Sequence, residues 1–217
     1  MTNAQKQKKQ LLFEIIAELA KYNPNPSIEL NYTNHFTLLI AVLLSAQTTD
    51  KNVNKATEEL FKIIETPQDV IKMGIEKLEG FLKTLNYYKT KAKHIFETSN
   101  ILIQNYNSQV PQVHEELTKL PGVGNKTASV MMLQAFNKPA IAVDTHVARI
   151  SNRLGLVKTK NPDLISSQLL ALSHDSQVKL VHHLLVLHGR YVCKKIKPQC
   201  GVCKVSHLCN SSDKLMV

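Results

Sequence analysis

An all-α fold is what this sequence predicts, and three observations carry the expectation. Apolar residues recur at helical spacing, helix-starting side chains stand ahead of several such stretches, and no run alternates polar with apolar residues long enough for a half-buried strand. About ten short helices are expected, with no repeats or long linker. Leu11, Leu12, Ile15, Ile16 and Leu19 form the stripe of the first helix, which Pro24 and Pro26 end because a proline ring fixes φ and removes an amide donor. Phe36 to Ala46 is apolar almost throughout, too continuous for a surface helix, so a helix through the middle of a core is expected there, ending at Gln47. Thr49 and Asp50 offer an N-cap to a helix over Val53 to Ile64. Thr66-Pro67 and Asn161-Pro162 each place a capping side chain before a proline at the first helical position, where a missing amide is harmless. At Leu117-Thr118-Lys119-Leu120-Pro121-Gly122-Val123-Gly124-Asn125-Lys126-Thr127-Ala128 one helix should stop at Pro121 and another start near Asn125. Asp144 is a candidate N-cap for Thr145 to Leu154. His182, His183 and His188 share no ligand face and lie among leucines and valines, so a structural role is expected for them.

The charge points to a polyanion. Lys and Arg number 27 against 17 Asp and Glu, a formal net charge of +10, and only Arg149, Arg153 and Arg190 are arginines. Lysine acts on phosphate as a point charge, whereas arginine is the usual bidentate reader of guanine, so binding to a nucleic-acid backbone with little sequence readout is favoured. The turn at Gly122, Val123 and Gly124 suits that partner. Glycines permit positive φ and expose backbone amides, and the helix that follows presents its positive end, so main chain alone can hold a phosphate. The lysine-rich N-terminus and Lys89, Lys91 and Lys93 read as solvated faces that could also meet phosphates.

The four cysteines are Cys193, Cys200, Cys203 and Cys209, with gaps of six, two and five residues. Disulfides would need an oxidising compartment. The start of the chain is polar and basic, unlike a signal peptide, and the longest apolar run, Leu38 to Leu44, falls far short of the roughly 20 residues that span a bilayer. Reduced thiols in an intracellular protein without a membrane are therefore expected. Four thiolates at such spacings suit a metal, and zinc and an iron–sulfur cluster both remain open on spacing alone.

Several of these motifs together resemble the helix-hairpin-helix DNA glycosylases, and within them the bacterial endonuclease III family. The resemblance lies in Leu120 to Ala128, in Val143-Asp144-Thr145-His146 and in the cysteine quartet, which follow one another in the family's order. Further matches are Leu43-Leu44-Ser45-Ala46-Gln47-Thr48-Thr49-Asp50, Val53-Asn54-Lys55-Ala56 and Leu187-His188-Gly189-Arg190. The similarity runs from about Leu11 to Cys209.

The resemblance implies a [4Fe-4S] cluster on Cys193, Cys200, Cys203 and Cys209, and two helical lobes with a DNA groove between them. One lobe would be a six-helix barrel over residues 28–138 that contains the helix-hairpin-helix, about 117–128. The other, the cluster lobe, would combine 1–27 with 139–217. It implies a bifunctional glycosylase and abasic-site lyase of base excision repair, a monomer in the bacterial cytoplasm at the nucleoid, acting on double-stranded DNA with damaged pyrimidines or abasic sites. Lys126 resembles the family's amine nucleophile and Asp144 its catalytic carboxylate; from the residues alone, a solvated lysine and a helix cap are the competing readings. Gln47 resembles the residue that fills the space left by a flipped base. Tyr87 stands where the family has an aliphatic wedge, and Asn86 where it usually has glycine; asparagine tolerates the left-handed conformation, so the turn is expected to survive. Lys194, Lys195 and Lys197, between the first two cysteines, are expected to face phosphate. Two alternatives stand beside this reading. Adenine-specific mismatch glycosylases share the cysteine spacing but lack lysine at position 126 and carry a further C-terminal domain. A non-catalytic iron–sulfur or zinc DNA-binding protein would need no amine facing DNA.

Overall fold

The structure, a computed structural model, describes residues 2–215. Among them are eleven α-helices, four 3-10 turns and no strand, the all-α fold that the sequence predicts. The chain divides into two compact units, one formed by residues up to Ile28 together with those from Asn137 onward, the other by Glu29–Phe136. No helix among the described residues is long and apolar enough to cross a membrane.

Helix α1 (Asn3–Tyr22) opens with a capping box in which Thr2 and Gln5 exchange side-chain and backbone hydrogen bonds. It buries Leu12, Ile15, Ile16 and Leu19. Leu11, also part of the expected stripe, lies at the edge of that face, half-exposed.

The second unit is built around α2 (His35–Leu44). Asn34 and Thr37 form its capping box, and every residue from Phe36 to Leu44 is buried. Each large apolar side chain so enclosed contributes about 1.5–3 kcal/mol. The helix stops at Leu44, short of the expected Gln47. Thr49 caps α3 (Asp50–Thr57), as expected, but the helix does not reach Ile64. Buried Thr57 turns its hydroxyl back onto the Val53 carbonyl at 3.0 Å, and a 3-10 turn, Leu60–Lys62, then brings Leu60, Phe61 and Ile64 inward. Ending α3 early lets both apolar sets reach one core. Thr66 and Asp69 form a capping box on α4 (Pro67–Met73), and Gly74 at φ +80° joins it to α5 (Ile75–Leu82). Both pack on the long α6 (Tyr88–Asn105).

The hairpin follows as α7 (His114–Leu117) and α8 (Asn125–Gln134), the latter packed on α2. Helix α7 ends four residues before Pro121, where the sequence had it stop. Beyond it the chain tightens, the Leu120 amide donating to the Leu117 carbonyl at 3.1 Å, and Pro121 has no amide to carry the helix further.

The first unit is completed by α9 (Thr145–Arg153), α10 (Pro162–Leu172) and α11 (Val178–Tyr191). Asn161 caps α10 through the amides of Asp163 and Leu164. Helices α9 and α11 cross closely at Gly189, where a Cβ would lie 3.1 Å from the His146 carbonyl oxygen. His182, His183 and His188 are buried on α11, and burial pushes His183 and His188 down to about 4. His183 and His188 are thereby held neutral.

Candidate functional site

In the hairpin turn, Gly122 has φ +76°. A Cβ there would lie 2.6 Å from His94 Nδ1 and 3.1 Å from Leu43 Cδ2, so the turn is pressed against α6 and α2 and needs glycine twice over. Val123 is buried and its amide donates to the Leu120 carbonyl at 3.0 Å. What the turn presents outward is therefore narrower than expected: the backbone of Gly122 and Gly124, both exposed, ahead of an α8 start that no side chain caps. Lys126, the second residue of α8, is exposed beside them.

Gln47 and Tyr87 occupy two further turns of the same unit. Both are exposed, Tyr87 at 66%, and both take the left-handed conformation, with φ 53° and 56°. Here the structure corrects the sequence reading: the positive φ falls on Tyr87, the N-cap of α6, and not on Asn86. Asn86 instead donates from Nδ2 to the Gln47 carbonyl at 3.2 Å.

Lys91 is a second correction. Lys89 and Lys93 are exposed as expected, but Lys91 is only 6% exposed, and burial pushes its pKa down. Its Nζ donates to the Leu44 carbonyl at 2.9 Å and to Thr48 Oγ1 at 2.8 Å. The lysine thus satisfies a carbonyl that the end of α2 leaves unpaired.

In the other unit, Asp144 is the N-cap of α9, its Oδ1 accepting from the amides of His146 at 2.9 Å and Val147 at 2.8 Å. One carboxylate oxygen is thereby fixed by the helix. The arginines of α9 tie it to the cysteine-bearing segment: Arg149 donates to the Cys193 carbonyl at 3.0 Å and to the Gly189 carbonyl at 2.6 Å. Arg153 donates to the Lys194 carbonyl at 2.7 Å, and its Nη1 lies 3.5 Å from Cys193 Sγ. The sequence reading missed this use, having weighed arginine only against DNA. Their helical spacing, one turn apart on a helix that precedes the cysteines, was the only available signal.

The four cysteines are free thiols lining one cavity, with His188, Arg153 and Leu154 among its other walls. Burial pushes the Cys203 thiol up, and the three other cysteines add to that, so the four sulfurs feel one another. His188 Nε2 lies 3.4 Å from Cys203 Sγ, a proximity its core-like surroundings did not announce. Among the described residues, no group of three or more His, Cys, Asp or Glu side chains is arranged as a site for a metal ion. Lys194, Lys195 and Lys197 are exposed on the loop between Cys193 and Cys200.

Residues 40–173 match the HhH-GPD superfamily of base excision DNA repair proteins. The chain is also 44% identical over 201 residues to the endonuclease III of Rickettsia conorii, across 93% of this chain and 96% of that one. It belongs to the endonuclease III family. Two solved structures of endonuclease III with DNA agree with that placement, each 43% identical and covering 93% of this chain and 95% of the other. One is a trapped covalent intermediate, with a TM-score of 0.87, and the other a non-covalent complex, at 0.88. In this member of the endonuclease III family, helices α7 and α8 and the glycine turn between them lie within the residues that match the HhH-GPD superfamily.

Proposed function

We propose that this protein removes oxidised pyrimidines from duplex DNA and cleaves the strand 3′ to the resulting abasic site, with Lys126 as nucleophile and Asp144 as the carboxylate that assists. The protein is a base excision repair DNA glycosylase of the endonuclease III family; the residue roles and the lyase step are the proposal. The observation that carries it is Lys126. This amine is exposed one residue into α8, directly after the outward-facing glycine turn, in a chain 43% identical to an endonuclease III solved as a trapped covalent intermediate with DNA.

The chemistry follows from an amine so placed. With the damaged nucleotide out of the stack, the neutral amine attacks C1′ and the base departs with the bonding pair of the glycosidic bond, taking up a proton. A carboxylate stabilises the positive charge that develops on the sugar and accepts a proton from the attacking nitrogen. Ring opening leaves an iminium. It acidifies the neighbouring carbon, a proton is lost there, and the 3′ phosphate leaves by β-elimination; water then releases the lysine.

Cys193, Cys200, Cys203 and Cys209, lining one cavity as free thiols, fit a [4Fe-4S] cluster, which would brace the Lys194, Lys195 and Lys197 loop. Within this reading the protein acts as a monomer on nucleoid DNA, the backbone of Gly122 and Gly124 and those lysines meet the phosphates, Val123 being buried, and Gln47 and Tyr87 enter the duplex. Borohydride reduction during reaction with abasic DNA tests the central claim. A covalent protein–DNA adduct is expected from the native chain and none from Lys126→Gln, whose amide forms no imine, while DNA binding persists. An adduct retained in Lys126→Gln overturns the assignment.

A further inference from the structure

Among the described residues six that are not glycine have positive φ, and two of them, the exposed Gln47 and Tyr87, stand in neighbouring turns that are hydrogen-bonded to one another. Such a conformation persists in bulky residues only where the surroundings impose it, and it gathers at sites where position matters. The surroundings here are specific. The two turns, far apart in sequence, are joined directly by Asn86 Nδ2 donating to the Gln47 carbonyl at 3.2 Å. They are joined again through Lys91. Its backbone amide donates to the Tyr87 carbonyl at 3.0 Å, closing the first turn of α6, while its side chain reaches the Gln47 turn from both sides, at the Leu44 carbonyl and Thr48 Oγ1. One residue therefore grips the stem of each turn.

Burial of an ammonium costs desolvation, and an apolar side chain of similar length would fill the same space without that cost. Lys91 does what methionine could not: it fixes where the Gln47 turn sits relative to the start of α6. The bonds from Lys91 and Asn86 leave both outward-facing side chains free.

We propose that Lys91 and Asn86 are positioning residues that join the Gln47 and Tyr87 turns into one rigid part, so that the two side chains enter duplex DNA in a fixed relation. The inference rests on the reading of Gln47 and Tyr87 as the residues that enter the duplex. It adds a division of labour: two residues penetrate, and two others, which touch no DNA, set their spacing and orientation.

The test uses the full chain with its cysteine site loaded and two DNA substrates. One is a duplex carrying an oxidised pyrimidine beside 2-aminopurine, whose fluorescence reports loss of stacking. The other is a single-stranded abasic oligonucleotide, which needs no duplex penetration. Asn86→Ala and Lys91→Met should each slow single-turnover base release from the duplex by about 10-fold, because small misplacements of a working group are costly. The fluorescence rise should slow with it. Strand cleavage of the single-stranded substrate should stay within roughly twofold, and in a background already carrying Gln47→Ala and Tyr87→Ala neither variant should slow duplex release further. That last result separates positioning from a general loss of structure, which would act in either background and on both substrates. Asn86 is exposed, so Asn86→Ala stands as a test by itself if Lys91→Met does not fold. Unchanged duplex release in Asn86→Ala and Lys91→Met, or a loss that persists without Gln47 and Tyr87, overturns the proposal. If Gln47→Ala and Tyr87→Ala together leave duplex release at the native rate, the underlying reading of those two residues fails, and the inference falls with it.

Discussion

A single carboxylate in this chain has two claims on it. Asp144 accepts the amides of His146 and Val147 through one oxygen, which makes it the N-cap of α9, and in the proposed reaction it also serves the sugar. The two duties can be separated because asparagine caps helices about as well as aspartate does, whereas alanine does not. Asp144→Asn should leave the thermal midpoint within about 2 °C of the native value yet slow base release by at least roughly 100-fold, the usual scale for a charge that assists proton transfer. Asp144→Ala should lose the same activity and, in addition, about 1 kcal/mol of stability. Calorimetry beside single-turnover excision distinguishes the two variants. Near-normal excision by Asp144→Asn would reduce Asp144 to a helix cap.

In the element that joins α7 to α8, two glycines stand one residue apart and answer to different constraints. Gly122 has positive φ and lies against His94 and Leu43, so its lack of a side chain serves the fold. Gly124 has φ −92°, and nothing lies within 4 Å of where its Cβ would stand. Gly122→Ala should therefore destabilise the protein by about 2 kcal/mol, combining strain with a clash. Gly124→Ala should cost less than about 1 kcal/mol, the difference between glycine and alanine as caps, and instead weaken DNA binding, because an added methyl keeps a phosphate from the backbone. Chemical denaturation and binding isotherms on both variants check this. Equal affinity for DNA in Gly124→Ala and the native chain would mean that this turn does not meet the phosphate.

The molecule as a whole carries a formal charge of +10, and its lysines have divided roles. Lys91 is built into the core, whereas Lys194, Lys195 and Lys197 stand exposed on one loop. Replacing those three with alanine should weaken binding to all DNA sequences alike and flatten the dependence of log K on log salt by up to about 3 units, one for each phosphate no longer neutralised. An unchanged slope would place the loop away from DNA. Stability should also depend on pH through His183, which burial and the nearby charge of Lys179 hold at about 4. Because the folded value lies below the unfolded one, near 6.5, this contribution is complete above pH 6.5 and is lost as pH falls toward 4. At pH 5 the loss amounts to about 2 kcal/mol. His183→Gln should flatten the stability profile between pH 7 and pH 5, measured by urea denaturation.

Local rules were enough for much of this protein. Capping by Asn161, Thr66 and Thr49 and the buried run of α2 depend on side chains a few residues apart, so spacing alone revealed them. The helix-hairpin-helix and the family were legible because their motifs keep a fixed order along the chain. What the tertiary structure decided depends on partners distant in sequence. Lys91 reads as one more surface lysine until the end of α2 supplies an unpaired carbonyl and Thr48 a second acceptor. The left-handed residue is Tyr87 and not Asn86, whose side chain is instead engaged with the Gln47 carbonyl, far earlier in the chain. Arg149 and Arg153 bind carbonyls of the cysteine segment, a use at which their one-turn spacing only hints, because the acceptors lie some forty residues further along the chain. A buried polar group has to find its partner wherever the fold places one, and that is information the local sequence does not hold.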